Sequence, residues 1–300
     1  MAKMKLAAVS MVSIPDKTAN LEKMLSYVDK AADQGTNLIA FPELCLPGLH
    51  PAFNMVSALP PASAYWFEAA EYVPEGPSVQ SLIDKAKERD IYITWTMVER
   101  DSQFRNKTYN CAVLVGPEGF VGKYRKCHQP GTERLYLQRG NEIPVFDTKL
   151  GKIGLMICFD RVWAEFSRCL KLQGAEIIVA MSAWPGDIRG DMTTHGVELF
   201  MNAAFMNAYT NSVVMVDCCA CSPDGIQTVM EGLELGHSSI RDTTGRPLAM
   251  TGWDEEMCIA EVDPIASMDS TYASQGLTGN DYIRDLRPDL YLPIYENYAK

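Results

Sequence analysis

The chain has 300 residues, a formal net charge of −11 and no local run of lysines or arginines. That charge repels phosphate backbones and argues against nucleic acid as a partner. No apolar segment approaches the roughly 20 residues needed to span a bilayer, so no membrane role is expected. A content of 47% hydrophobic and 22% charged residues is that of an ordinary globular protein.

Nine cysteines, an odd number, lie mostly inside apolar runs. They read as reduced thiols in a cytoplasmic protein rather than as a disulfide framework. Cys218 and Cys221 have C-x-x-C spacing, but no second pair follows at zinc-site distance, and they read as buried small hydrophobes.

Taken in order, "KLAAVSMV" (5–12) is a strand; its apolar run is broken by serines and meets Pro15 too soon for a leader peptide. Residues 17–34 place Leu21, Met24, Leu25 and Val28 at helical spacing, with Gly35 as a stop. "TNLIAFPEL" (36–44) is a buried strand. Residues 45–75, rich in proline, alanine and aromatics, read as a long surface excursion near a pocket. A helix over 78–89 and a strand over 92–100 precede two strands in 108–126, joined at Pro117-Glu118-Gly119. A strand over 151–159, a helix over 163–173 and a strand over 176–183 follow. Then come a helix over 194–210, a strand over 211–220 and a hairpin over 238–250. Residues 266–300, polar and tyrosine-rich, read as an arm. Helical crossovers mixed with tight hairpins imply a mixed sheet covered by helices, in a single domain over 1–300.

Three apolar strands end on a reactive side chain: "LIAFPEL" on Glu43, "GKYRKCHQP" on Lys126 and "LMICFD" on Cys158. Strand ends at one edge of an α/β sheet converge on a common crevice. A carboxylate can take the thiol proton and return it to a leaving amine. An ammonium can stabilise a tetrahedral oxyanion. A cysteine at a strand-to-helix turn meets the positive end of the helix, which favours thiolate.

In this order, with "FPE", "YRKCH" and "CFD" around them, the three segments resemble the nitrilase superfamily of carbon–nitrogen hydrolases. "DTKLGKIGLMICFD" (147–160), "GHSSIRDTTGRPLA" (236–249) and "LRPDLY" (286–291) extend the resemblance along nearly the whole chain. It implies a four-layer α-β-β-α sandwich with mixed sheets and a homodimer or larger homo-oligomer, with 266–300 as a contact arm. It implies Glu43 as general base and acid, Lys126 as oxyanion stabiliser and Cys158 as nucleophile, with no metal or organic cofactor. Glu133 is similar in position to the second glutamate of the nitrilase branch. Flanked by Glu43 and Glu133, Lys126 would stay protonated. The Phe159 N–H, next after the nucleophile, is the expected second oxyanion donor.

Cys-Phe-Asp is closer to amidases and carbamoylases than to true nitrilases, which resemble Cys-Trp-Glu at this point. The expected reaction is therefore hydrolysis of a small-molecule amide or N-carbamoyl (ureido) group, with release of ammonia through a thioester. The alternatives are a nitrile substrate and a non-catalytic scaffold that kept the fold. Arg161 matches a substrate-binding arginine of N-carbamoyl-amino-acid amidohydrolases, although Val162 beside it departs from their pattern. An arginine fork would hold a substrate carboxylate; pairing with Asp160 or Glu165 is the other reading. Trp184, His195, Trp66 and Phe53 are candidate pocket walls. Met201 and Met206 stand where the family segment carries charge.

Overall fold

The apolar runs of this chain are continuous rather than alternating, as expected of strands buried on both faces. The computed structural model describes residues 3–48, 60–278 and 281–299. The first half comprises β1 (Met4–Ser10), α1 (Lys17–Asp33), β2 (Leu38–Ala40), α2 (Pro60–Ala69), α3 (Pro77–Arg89), β3 (Tyr92–Arg100), β4 (Thr108–Gly116) and β5 (Gly119–Arg125). The second comprises β6 (Val145–Thr148), β7 (Gly151–Ile157), α4 (Ala164–Leu172), β8 (Ile177–Ser182), α5 (His195–Asn211), β9 (Val214–Cys219), β10 (Ser239–Arg241) and β11 (Pro247–Met250). Then follow β12 (Glu256–Val262), α6 (Pro264–Thr278) and α7 (Pro288–Tyr298).

Two six-stranded sheets result, ordered β12-β1-β2-β3-β4-β5 and β11-β10-β9-β8-β7-β6. Each has three adjacent parallel strands, β1-β2-β3 and β7-β8-β9, flanked by antiparallel ones. Period-two alternation then sorts the first sheet's side chains. Leu6, Ala8, Leu38 and Ala40 pack in one cluster with Leu155, Val179 and Val216 of the second sheet. Ala7, Val9 and Ile39 point the other way, onto Met24 and Val28 of α1 and Val79, Leu82 and Ala86 of α3. Phe166 and Leu170 of α4 and Phe200 and Ala204 of α5 belong to the second sheet's core. The layers therefore run helix, sheet, sheet, helix. Each fully buried Leu, Val or Phe in them contributes about 1.5–3 kcal/mol.

Local signals set the boundaries. The Asp16 carboxylate accepts the N–H groups of Thr18 and Ala19, at 3.0 and 3.1 Å, and starts α1. Gly35, at φ 72°, lets the chain leave it.

Several expected boundaries move. The strand expected over 36–44 is only Leu38–Ala40, because Pro42 has no N–H for the ladder and Leu44 turns at φ 50°. Within 45–75, residues 45–48 form a buried turn and 60–69 a helix, so they are not all surface excursion; residues 49–59, with Phe53, lie outside the described residues. The expected 151–159 strand ends at Ile157, leaving Cys158 beyond it. β9 likewise ends at Cys219, so Cys221 lies outside the strand. β12 was not anticipated; it pairs with β1 from Met4↔Val262 to Ser10↔Glu256. The expected 266–300 arm is helical in two parts: α6 buries Met268 and Thr271, whereas α7 buries none of its residues.

Candidate active site

Adjacent strand ends bring the site together. Just past β2, the Glu43 N–H donates to the Ser182 carbonyl at 3.2 Å, and the Ala183 N–H donates to Glu43 Oε2 at 2.9 Å. These two bonds tie the end of β2 in one sheet to the end of β8 in the other. Lys126 follows β5, held by its N–H to the Asn110 carbonyl at 2.9 Å. Its Nζ lies 2.7 Å from Glu43 Oε1 and 2.7 Å from Glu133 Oε2. Glu133 stands on a one-turn helix, Gly131–Leu135. All three side chains are buried.

Asn110 of β4 completes this polar cluster. Its Nδ2 donates to Glu43 Oε1 at 2.7 Å and to Glu133 Oε1 at 3.1 Å. An ammonium has three N–H donors; the two carboxylates take two, leaving one for a ligand. Burial pulls the Lys126 pKa down, but Glu133 and Glu43 outweigh it and hold the group well above its ordinary value. Burial raises the Glu133 pKa against the opposing pull of Lys126.

Cys158 begins a short turn, Cys158–Val162, directly after β7, at φ 45°. An L-residue there is strained, and Asp160 holds the turn. Its Oδ2 accepts the Ile157 N–H at 2.9 Å and the Tyr124 O–H at 2.7 Å. Its Oδ1 accepts the His128 N–H at 3.0 Å and lies 2.8 Å from His128 Nδ1. Asp160 thus clamps the cysteine turn to the segment carrying Lys126.

The expected thiolate is corrected. Burial, then the Glu43 carboxylate, push the Cys158 thiol well above its ordinary value, against the pull of Lys126. The strand feeds a single tight turn, and the α-helix begins only at Ala164. The element that starts at Cys158 is a single 3-10 turn, Cys158–Val162, whose short dipole does not offset the desolvation of the sulfur.

Cys158 opens on a pocket of about 470 Å³, a volume suited to a small molecule. Phe159, Glu133, Thr132, Trp184, Pro185, Leu233 and Glu234 are among its walls. The Trp184 ring is fixed by its indole N–H, which donates to the Gly196 carbonyl at 2.9 Å.

Arg161 does not line the pocket. It is 1% exposed, and its Nη1 donates to Asp217 Oδ2 at 3.0 Å. Its Nη2 donates to Ser182 Oγ at 2.8 Å, and the guanidinium lies 4.0 Å from the Phe200 ring centre. The fork meant for a substrate carboxylate is taken by an internal one; neither Asp160 nor Glu165 is its partner. His195 is exposed at the start of α5 and is not among the lining residues, although its neighbour Gly196 is. Trp66 is buried in a cluster with Leu44, Val98 and Leu137, away from that lining. Met201 Sδ lies 4.0 Å from Arg241 Nη2, and Met206 is exposed.

Asn110, Asp217 and Glu234 were not singled out from sequence, and Asp160 was named only as an alternative partner of Arg161. Its role in holding the nucleophile turn was readable, since an acid two residues after a residue at a strand-to-helix turn is well placed to cap that turn. Asn110 and Asp217 read as isolated polar residues inside apolar strands, and only their tertiary partners give them meaning.

Comparison with known proteins agrees with this architecture. The chain is 31% identical over 276 residues to omega-amidase NIT2-B of Xenopus laevis, covering 88% of this chain and 90% of that one. It is 37% identical over 165 residues to a nitrilase of Pyrococcus abyssi, 55% of this chain and 58% of that one. Among solved structures, Nit3 of Saccharomyces cerevisiae, a member of the nitrilase superfamily, superposes with a TM-score of 0.78 at 26% identity, covering 95% and 97% of the two chains. The sequence profile of the carbon–nitrogen hydrolases matches residues 5–268, so a nucleophile turn, an ammonium between two acids and a double-sheet frame meet in a chain that belongs to the carbon–nitrogen hydrolase family.

Proposed function

We propose that this chain hydrolyses a small amide or N-carbamoyl compound through a thioester on Cys158. The observation that carries this reading is the Lys126 ammonium, 2.7 Å from both Glu43 and Glu133, beside the pocket that Cys158 lines. A free thiolate would place a further negative charge beside two carboxylates. The resting group is therefore the thiol, and Glu43 removes its proton only as the sulfur attacks.

Attack forms the S–C bond and moves the carbonyl electron pair onto oxygen. The remaining Lys126 N–H and the Phe159 backbone N–H hold that oxyanion. As the C–N bond breaks, Glu43 returns the proton to the departing nitrogen, which leaves as ammonia. Glu43 next takes a proton from water as it attacks the thioester; the C–S bond breaks and the proton returns to sulfur. Glu133 and Asn110 keep Lys126 charged and Glu43 aimed.

Chemical class is tested by ammonia release from a matched amide, N-carbamoyl compound and nitrile. The amide or N-carbamoyl compound should be turned over at the higher kcat/KM. A nitrile preference of about tenfold or more would replace this reading with the nitrilase one.

We also place the protein in a reducing, cytoplasmic setting, supported by its free thiols. Among the described residues no helix is long and apolar enough to cross a membrane. A homo-oligomer is favoured by α7, which buries none of its residues and exposes Leu290, Leu292 and Ile294. Light scattering of purified protein, with a monomer as the contrary result, checks that assembly.

A further inference from the structure

Glu234 stands apart from the machinery described above. It lines the same pocket as Cys158, is 7% exposed, and its Oε2 is buried with no hydrogen-bond partner among the described residues. Its backbone is fixed, since its N–H donates to Ser222 Oγ at 2.7 Å and it bridges Pro185. A desolvated carboxyl oxygen without a donor calls for one from elsewhere, because buried polar groups in folded proteins are paired.

The rest of the wall shows what that donor is. Among the described residues, no lysine, arginine or histidine lines the pocket. Lys126 is engaged by Glu43 and Glu133, and Arg161 by Asp217. The acids near the cavity therefore outnumber the bases, and Trp184 and Phe159 add aromatic walls. A substrate carboxylate would add another negative charge with no lysine, arginine or histidine among the described lining residues to meet it, whereas an ammonium would find both a carboxylate and ring faces.

We propose that Glu234 is the specificity residue of this site, and that the preferred substrate carries a cationic nitrogen remote from the bond that is cut. This rests on the amide-hydrolase reading and adds the substrate's charge to it. Burial, then Glu43, raise the Glu234 carboxyl to about 8. Near neutral pH the empty site therefore holds a proton on Glu234, and a bound cation displaces it to solvent. Titratable groups around the cavity, among the described residues, include Glu43, Glu133, Lys126 and Cys158, with Cys219 of β9 near Glu234 and Asp187, which accepts the N–H of the lining residue Gly196 at 3.3 Å.

The test compares three amides of matched length, ending in an ammonium, a methyl or a carboxylate, on the wild type and on Glu234→Gln. The wild type should favour the ammonium amide over the carboxylate amide by about tenfold or more in kcat/KM, and Glu234→Gln should collapse that ratio to within about threefold. A carboxylate preference, or a ratio unchanged in the variant, overturns the proposal. If none of the three is hydrolysed, the reaction reading fails, and binding decides the proposal separately. Calorimetry of the ammonium amide with Cys158→Ala, in buffers of different ionisation enthalpy, should show binding with proton release. Both should be lost in Cys158→Ala/Glu234→Gln, and equal binding by the two proteins would refute the role.

Discussion

Replacing Asp217 by asparagine should cost about 3 kcal/mol of stability, because it leaves the buried Arg161 guanidinium without a counter-charge. In the native chain that cation is 1% exposed and has the Asp217 carboxylate, the Ser182 hydroxyl and the Phe200 ring around it. Asp217→Asn keeps the shape and one acceptor oxygen but removes the charge. Breaking a buried pair costs about 3–5 kcal/mol, and the surviving acceptor sets the lower end. Against a total of about 5–15 kcal/mol, this is a large fraction. Equilibrium urea unfolding, followed by tryptophan fluorescence and circular dichroism, reads the loss. The double variant Arg161→Met/Asp217→Leu should recover most of it, since both charges are then gone. Substrate kinetics add a second readout. The Arg161 carbonyl accepts from Asn207 Nδ2 at 3.0 Å, so loosening this region should lower kcat for all substrates, without selecting by their charge. A single variant within about 0.5 kcal/mol of wild type, or a KM increase confined to carboxylate-bearing substrates, would refute the structural assignment of Arg161.

Two further outcomes follow from the nucleophile turn. Cys158→Ala and Cys158→Gly should both be folded and inactive, with the glycine variant more stable by up to about 1 kcal/mol in thermal unfolding, because φ 45° strains alanine and not glycine. A glycine variant clearly less stable than the alanine one would show that the turn is relaxed. The raised thiol pKa predicts that methyl methanethiosulfonate labelling of Cys158, mapped by peptide mass spectrometry, still accelerates with pH above about 9. A rate that levels off below about pH 8 would mean a stabilised thiolate and contradict the proton-transfer role of Glu43.

The strands were legible wherever both faces are buried: residues 92–100 give β3 with its expected limits, because its aromatic and β-branched residues suit a strand and all nine positions are buried. The convergence of Glu43, Lys126 and Cys158 was legible too, since each follows a strand. Hidden features depended on partners far away in the chain. β12 mixes exposed Glu256 and Glu261 with buried Cys258 and Val262 without a clean period of two, and only pairing with β1 makes it a strand. Arg161 misled because a guanidinium fork suits a substrate carboxylate and an internal one equally, and only the fold puts Asp217 opposite it. The thiolate expectation failed for a related reason: residue order shows a strand running into a helix, but not the intervening tight turn or the depth of burial.

Acyl transfer to a single sulfur is most directly visible by intact-protein mass spectrometry after rapid mixing with an amide that is turned over, followed by peptide mapping. The wild type should gain the acyl mass on Cys158 and lose it on standing, while Cys158→Ala gains none. Turnover with no adduct, or an adduct on another residue such as exposed Cys169, would contradict the thioester route.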